Sequence, residues 1–334
     1  MSEQEQQRGF TLIELMVSLV LFSIAVAGIL SVAVSMTVGI RSQRQVVAAE
    51  VAARAPIDFL ADAVRGASPG ASNGDIKDIE TCASGAIIVT DSSIGPDQLE
   101  LVYASGGIVT YLSTAYASTT STTMNVMDGT QLAAGDYVLV VDNVFQTGHL
   151  AHVTAVNGNT LTIAAPNCAS PLVPSAFTYP QYSVVIRAQR ALFTVSNDSE
   201  GIPTLWLDPD GPLGALEKQP LAEGIEDMQV AMGIDTSGDG AIQESASTPP
   251  VANDDEWTGN AAGDTWPSGA NSTKIRALRI TLVARTTKTI TGGDASYLRP
   301  AAENHPGASS TEKDYFRRRV LKSTIEIRNL GGSP

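Results

Sequence analysis

From Leu15 to Ile40 the chain carries no formal charge. An apolar helix needs about 20 residues to cross a bilayer, so this run is long enough to do so. Nine residues ending in Gly9 stand before it. A secretory signal is cut after its apolar segment and loses it. Here the cut site that the sequence offers, after Gly9, lies ahead of the segment, so a processed chain keeps it. Arg8 and Arg41 flank the run, and charge alone sets its orientation only weakly. Glu14 is the anomaly. A carboxylate near the end of a membrane helix costs about 2.5–3.5 kcal/mol, so such groups are usually paired and functional.

The order Gly9-Phe10-Thr11-Leu12-Ile13-Glu14, followed by the uncharged run, resembles the type IV prepilin signature. The resemblance implies cleavage between Gly9 and Phe10 by a prepilin peptidase and N-methylation of Phe10. It also implies that Glu14 meets the new α-amine of a neighbouring subunit during assembly. A second resemblance begins near Leu221. Gly224-Ile225-Glu226-Asp227-Met228-Gln229-Val230, Gly233-Ile234-Asp235, Ile275-Arg276-Ala277-Leu278-Arg279-Ile280 and Ile325-Glu326-Ile327-Arg328-Asn329-Leu330 are similar to PilW-type minor pilins. That group often has Tyr where this chain has Met232, and Asp where it has Ser237. Residues 80–200 match only loosely.

Residues 10 to about 66 read as one helix. Val47, Val51, Ile57, Leu60 and Val64 form its apolar stripe beyond Ile40, and Pro56 interrupts it. Strands dominate afterwards. They are expected over Ala86–Thr90, Gln98–Ala104, Ile108–Leu112, Tyr137–Val141, Ala151–Val156, Thr160–Ala164, Ser183–Ser196, Pro203–Leu207, Gly224–Ile234, Ile275–Arg285 and Arg319–Leu330. Asn157-Gly158-Asn159 is a hairpin turn signal, and residues 286–316 read as a polar surface loop. The expected fold class is α+β, the type IV pilin fold, with a long helix on an antiparallel sheet. The expected division is a leader over 1–9, a membrane or filament-core helix over 10–40, an amphipathic continuation over 41–66 and a β-rich head over 67–334. Within the head, 115–170 reads as an all-β insertion.

The segment from Asp235 to Asp264 holds seven carboxylates and no Lys or Arg. Asp235, Ser237 and Asp239 fall at alternate positions, Gly240 allows a sharp turn, and Ala241 offers a carbonyl, which is the spacing of a calcium loop. Ala246 occupies the position where an EF-hand has its bidentate Glu. Glu244 is the nearest substitute, with Asp254, Asp255 and Glu256 as further ways to close the site. No cofactor is required by this reading, and Ca2+ is the candidate ion. The bland alternative is a solvated acidic turn. Trp257 and Trp266 either pack in the core or form a partner patch.

Cys82 and Cys168 either pair in an oxidising compartment or remain separate buried thiols. A net charge of -14 argues against a nucleic-acid partner. Gly66-Ala67-Ser68-Pro69-Gly70 and Gly70-Ala71-Ser72-Asn73-Gly74 match GxSxG without the strand–turn–helix context of a nucleophile elbow. Ser310 and Lys313 lack the companion motifs of a β-lactamase. His149 and His152, three apart on a strand, face opposite sides. Arg317-Arg318-Arg319 reads as a charged strand edge. The chain is therefore not expected to be an enzyme.

The resemblance implies a minor pilin in a priming or tip complex that starts pilus assembly. Its implied partners are other minor pilins, the major pilin, the prepilin peptidase, the assembly platform and a tip adhesin. It implies a single pass through a bacterial inner membrane, with the head in the periplasm and then at the pilus tip. The alternatives are a pseudopilin of a type II secretion system and a calcium-dependent adhesive head.

Overall fold

The computed structural model describes residues 11–67, 75–82, 84–142, 147–167, 177–211, 216–266, 274–289 and 296–327. Helix α1 spans Leu12–Arg65, 54 residues, about 80 Å at 1.5 Å per residue. It ends at Gly66, whose N–H reaches the Asp62 carbonyl at 3.1 Å. Pro56 lies inside it and removes one backbone donor without ending it.

The two halves of α1 have opposite surroundings. Large apolar side chains from Leu12 to Ile40 stand exposed. Further on, Val46, Ala49, Ala53, Ile57, Leu60 and Val64 are buried, at the three-and-four spacing of a packed helix face. Val47 and Val51, expected in that stripe, are instead 58% and 60% exposed. Small side chains explain the rotation: Ala49 and Ala53 bring the helix close to the head, and valines at those positions would hold it away.

The strands before Gly224 are β1 Asp75–Asp78, β2 Ile87–Thr90, β3 Gln98–Tyr111, β4 Tyr116–Ala117, β5 Thr123–Asn125, β6 Tyr137–Asp142, β7 Thr147–Asn157, β8 Thr160–Ile163, β9 Thr178–Tyr179, β10 Val184–Asn197, β11 Pro203–Asp208 and β12 Gln219–Glu223. β4 pairs with β9, and the others join one largely antiparallel sheet with the path β12-β11-β10-β6-β7-β8-β5. β10 organises it. One side of β10 pairs with β3, while the other pairs with β6 over Val184–Ala188 and with β11 over Leu192–Asn197. β3 was expected as two strands. It is one, because Ala104 pairs with Ala188 and Ile108 with Ile186, so the Ser105-Gly106-Gly107 stretch is absorbed as a bulge. Gly158 turns β7 into β8 at φ +59, a backbone state that glycine adopts without strain.

This sheet separates two cores. Leu139 and Val141 of β6 face the core that α1 covers, whereas Val138 and Val140 face a second core with Leu112, Tyr116, Met124, Leu161 and Tyr179. The alternation of a single strand therefore supplies both sides.

After Gly224 come β13 Ile225–Ile234, β14 Trp257–Thr258, β15 Ile275–Arg285 and β16 Arg318–Glu326. They form an antiparallel sheet in the order β14-β13-β15-β16. Met228, Val230, Leu278, Ile280, Leu282 and Ile325 join the core that contains α1. The opposite face carries Asp227, Gln229, Arg279 and Thr281, all buried. The stretch over 296–316, expected as a surface loop, is instead what buries them. Glu303, Asn304 and His305 of residues 296–316 are themselves buried, because the polar sheet face needs charged and hydrogen-bonding partners once water is excluded.

Candidate functional site

Two places carry the chemistry anticipated above, the start of α1 and the acidic loop after β13. Gly9 and Phe10 lie outside the described residues. Thr11 is the N-cap of α1. Its backbone N–H donates to Glu14 Oε2 at 3.0 Å and its hydroxyl to the same oxygen at 2.9 Å, while the Glu14 N–H donates back to Thr11 Oγ1 at 3.3 Å. This is a reciprocal capping box. The Thr-x-x-Glu spacing of Thr11 and Glu14 was its visible signal in the sequence. The carboxylate thus stays at the helix start, where the helix dipole also favours negative charge.

In the acidic loop, Asp235 directly follows β13 and is nearly inaccessible. Its carboxylate accepts the N–H groups of Gly238 at 2.6 Å and Gly240 at 3.1 Å, and the Ser237 hydroxyl at 3.4 Å. Arg276 Nε stands 3.6 Å away. Gly240 turns the loop at φ +84. Asp239, exposed, accepts the Ala241 N–H at 2.9 Å. Ligand atoms of Asp235, Asp239 and Glu256 lie within 4.8 Å of one another. Glu244 is not with them. Arg279 holds it at 3.2 Å, so the carboxylate completing the group comes from Glu256, just before β14. Asp254 accepts the Ser245 hydroxyl, and Asp255 accepts the Trp257 N–H and the Asn260 amide.

Burial works against charge on Glu256. The Thr236 hydroxyl at 2.7 Å and the N–H groups of Ser237 at 2.8 Å and Gln243 at 3.1 Å outweigh it. Together they bring the carboxyl down to about 2. Asp235, Asp239 and Glu256 are hard oxygen donors, the type Ca2+ selects. Trp257 is buried against Ala231, Ala277 and Ile242, with the Arg279 guanidinium 4.2 Å from its ring centroid. Trp266 packs on the core that contains α1.

A second polar cluster, unexpected from the sequence, lies on the outer face of β13–β16. Asp227 Oδ2 is 2.7 Å from His305 Nδ1 and 3.3 Å from Arg299. Arg279 pairs with Glu303 at 2.9 Å, Lys322 pairs with Glu303 at 3.0 Å, and Thr281 donates to Glu303 at 2.7 Å. The cluster extends to the turn between β2 and β3. Asn304 donates to Asp91 at 2.7 Å and Gln229 to the Gly95 carbonyl at 2.9 Å. Asp97 accepts the N–H groups of Val230 and Ser92, each at 2.8 Å. Burial outweighs those two donors and, with Asp91 and Asp227 nearby, pushes the Asp97 carboxyl up to about 7. Polar residues at alternate positions of otherwise apolar strands, Asp227 and Gln229 in β13 and Arg279 and Thr281 in β15, were the sequence signal for a covered polar face.

His149 is buried, with Nδ1 2.7 Å from the Tyr179 hydroxyl. His152 stacks on Tyr137 and stands 3.1 Å from Glu80, so the two histidines work apart. Cys82 is in disulfide form, and Cys168 lies outside the described residues.

Residues 192–329 match the family model described as Type IV Pilus-assembly protein W, and residues 6–30 match that of the prokaryotic N-terminal methylation motif. The first match begins well before Leu221. No curated protein matches the chain. Among solved structures, the Type IV-like pilin TTHA1219 from Thermus thermophilus is similar at 13% sequence identity, over 61% of this chain and 88% of that one, with a TM-score of 0.22. A superposition that loose adds nothing to the account of the fold.

Proposed function

Taking the chain as a type IV prepilin-like protein of the PilW type, we propose that it is a minor pilin acting in a priming or tip complex that starts pilus assembly. One observation carries the reading: the exposed apolar half of α1 runs without a break into the half packed on the head. An anchor so joined sets the position of a large β-rich head. In this reading the peptidase cuts between Gly9 and Phe10, and Phe10 is N-methylated. Glu14, already held at the helix start by Thr11, receives the ammonium of a neighbouring subunit. Burial makes such a pair discriminating, because an unpaired partner is heavily penalised. The head faces the periplasm before assembly and sits at the pilus tip afterwards. Its neighbours are other minor pilins, the major pilin and the assembly platform, and a tip adhesin is its cargo. The role is structural, and residues 115–170 form an insertion in the head. A Cys82–Cys168 bridge ties that insertion to the first strands.

The test is a gene deletion scored for surface pili and for secreted proteins, with and without the retraction motor. Pili that vanish and return when retraction is disabled support initiation by a minor pilin. Normal pili with exoproteins trapped in the periplasm favour a type II secretion pseudopilin.

The convergence of Asp235, Asp239 and Glu256 favours a second, compatible reading, in which Ca2+ orders the acidic loop. Calcium titration of the full-length protein in detergent, followed by melting temperature, tests it. An unchanged melting temperature at millimolar calcium removes it.

A further inference from the structure

β16 is an edge strand, and among the described residues no strand pairs with its outer side. It pairs with β15 on one side. The Thr286 N–H reaches the Arg317 carbonyl at 2.9 Å, and the Ile327 N–H reaches the Arg276 carbonyl at 2.9 Å. In an antiparallel ladder the N–H and C=O of one residue point to the same side and successive residues alternate. The backbone of Arg319, Leu321, Ser323 and Ile325 therefore faces β15, and that of Val320, Lys322 and Thr324 faces outward. Among the described residues no backbone hydrogen bond reaches those three.

Edges are commonly guarded by charged side chains. Here the guards are turned away. Arg318 is held by Glu226 and Asp314, and Lys322 by Glu303 at 3.0 Å, all on the polar face. Between them Val320 is 45% exposed. A cleft of about 570 Å³ opens beside it, its lining made of Leu298, Pro300 and Val320 together with Ser296, Tyr297, Arg318 and Arg319. Leu298 is also exposed. The edge thus offers unpaired donors and acceptors together with a recess that has an apolar wall at Leu298, Pro300 and Val320, the two elements of strand addition.

Charge selects the occupant. The chain carries -14, yet Arg319 is exposed and makes no ion pair within 4 Å among the described residues; its one carboxylate neighbour, Glu50 of α1, acts from farther off and is already paired with Arg54 at 2.7 Å. Arg317 is engaged by the Tyr297 hydroxyl and ring, not by an acid. A second copy of this chain would bring the same cations to the same edge. We infer that the outer edge of β16 receives an extended, acidic strand from a different polypeptide, with its apolar side chain in the Leu298–Val320 cleft and a carboxylate on Arg319. This rests on the pilus reading only for where the partner is met.

The test uses the full-length chain in its own membranes, with a benzophenone amino acid in place of Thr324. The expected result is an adduct mapped to an acidic, extended segment of another protein. Val320→Pro removes an outward N–H and no bond to β15. It and Arg319→Glu should each reduce the adduct at least ten-fold at unchanged melting temperature, while Arg319→Lys keeps it. Amides of Val320, Lys322 and Thr324 should gain at least ten-fold protection from hydrogen exchange on assembly. An adduct to lipid, to a second copy or to a basic or helical segment overturns the inference. So does no adduct, or exchange that assembly leaves unchanged. Pili lost on deletion but normal with Val320→Pro would leave the pilus reading standing and remove this one.

Discussion

The acidic loop and the segment over residues 296–316 flank one four-stranded sheet, and the acids around them sit in opposite conditions. In the loop, several N–H and O–H donors converge on Asp235 and on Glu256, and Glu256 is held down to about 2. In the buried cluster, Asp97 has two backbone donors and lies close to Asp91 and Asp227, and it is pushed up to about 7. Glu303, by contrast, is matched by Arg279, Lys322 and Thr281. Burial alone does not decide the state of a carboxylate. The balance of donors against neighbouring charge does. The loop surrounds its buried carboxylates with donors that keep them charged, and the cluster spends its charge internally, fixing a covering segment to the sheet.

Breaking the buried side should have the largest effect. Arg279→Ala leaves Glu303 with weaker partners in a dry setting and should cost about 3–5 kcal/mol, read by chemical denaturation of the full-length protein. A loss below about 1 kcal/mol would mean that the segment is held by its backbone instead. Next comes the open side. If Asp235, Asp239 and Glu256 take Ca2+, a concentration 100-fold above the dissociation constant should add about 2.7 kcal/mol. Glu256→Gln should abolish that gain, and a gain that persists would place the ion elsewhere.

The pH response separates the two regions by sign. Asp97 holds its proton more tightly folded than unfolded. Its stabilising contribution is complete below about pH 3.8 and is lost as pH rises through about 7. Glu256 does the reverse: its contribution is present above about pH 4.5 and is lost as pH falls through about 2. The fall in stability between pH 5 and pH 8 should therefore be smaller in Asp97→Asn than in the parent, by about 2–3 kcal/mol. Equal falls would remove Asp97 as the titrating group. The smallest effect belongs to Glu244→Gln. Because Arg279 already holds Glu244, the calcium response should be unchanged, whereas its loss would restore Glu244 as a ligand.

Much of the fold was legible because it rests on local rules. The uncharged run and helical spacing gave α1 nearly to its ends, and the apolar run Ile275–Arg285 is β15 to the residue. The failures share a cause, which is that partners distant in sequence decided them. Val47 and Val51 satisfy helical spacing as well as Val46 and Ala49 do, and only the closeness of the sheet selects the alanines. Residues 296–316 look like a loop in composition, and nothing local shows that β13 and β15 require polar cover. Glu244 is nearer in sequence to Asp239 than Glu256 is, yet Arg279 on β15 draws it off and the approach to β14 brings Glu256 in. Thr11 and Glu14 belong to a different group, because their capping signal, Thr-x-x-Glu, is wholly local.

The unbroken course of α1 also has a rotational consequence. A helix turns by about 100° for each 1.5 Å of rise. With no loop between anchor and head, the two behave as a screw and its handle. A subunit whose anchor meshes one residue out of register along its neighbours would present its head on a different side of the filament. If Glu14 pairs with a neighbouring subunit as proposed, the contact that sets its height would also fix the bearing of everything the head displays, including the outer edge of β16.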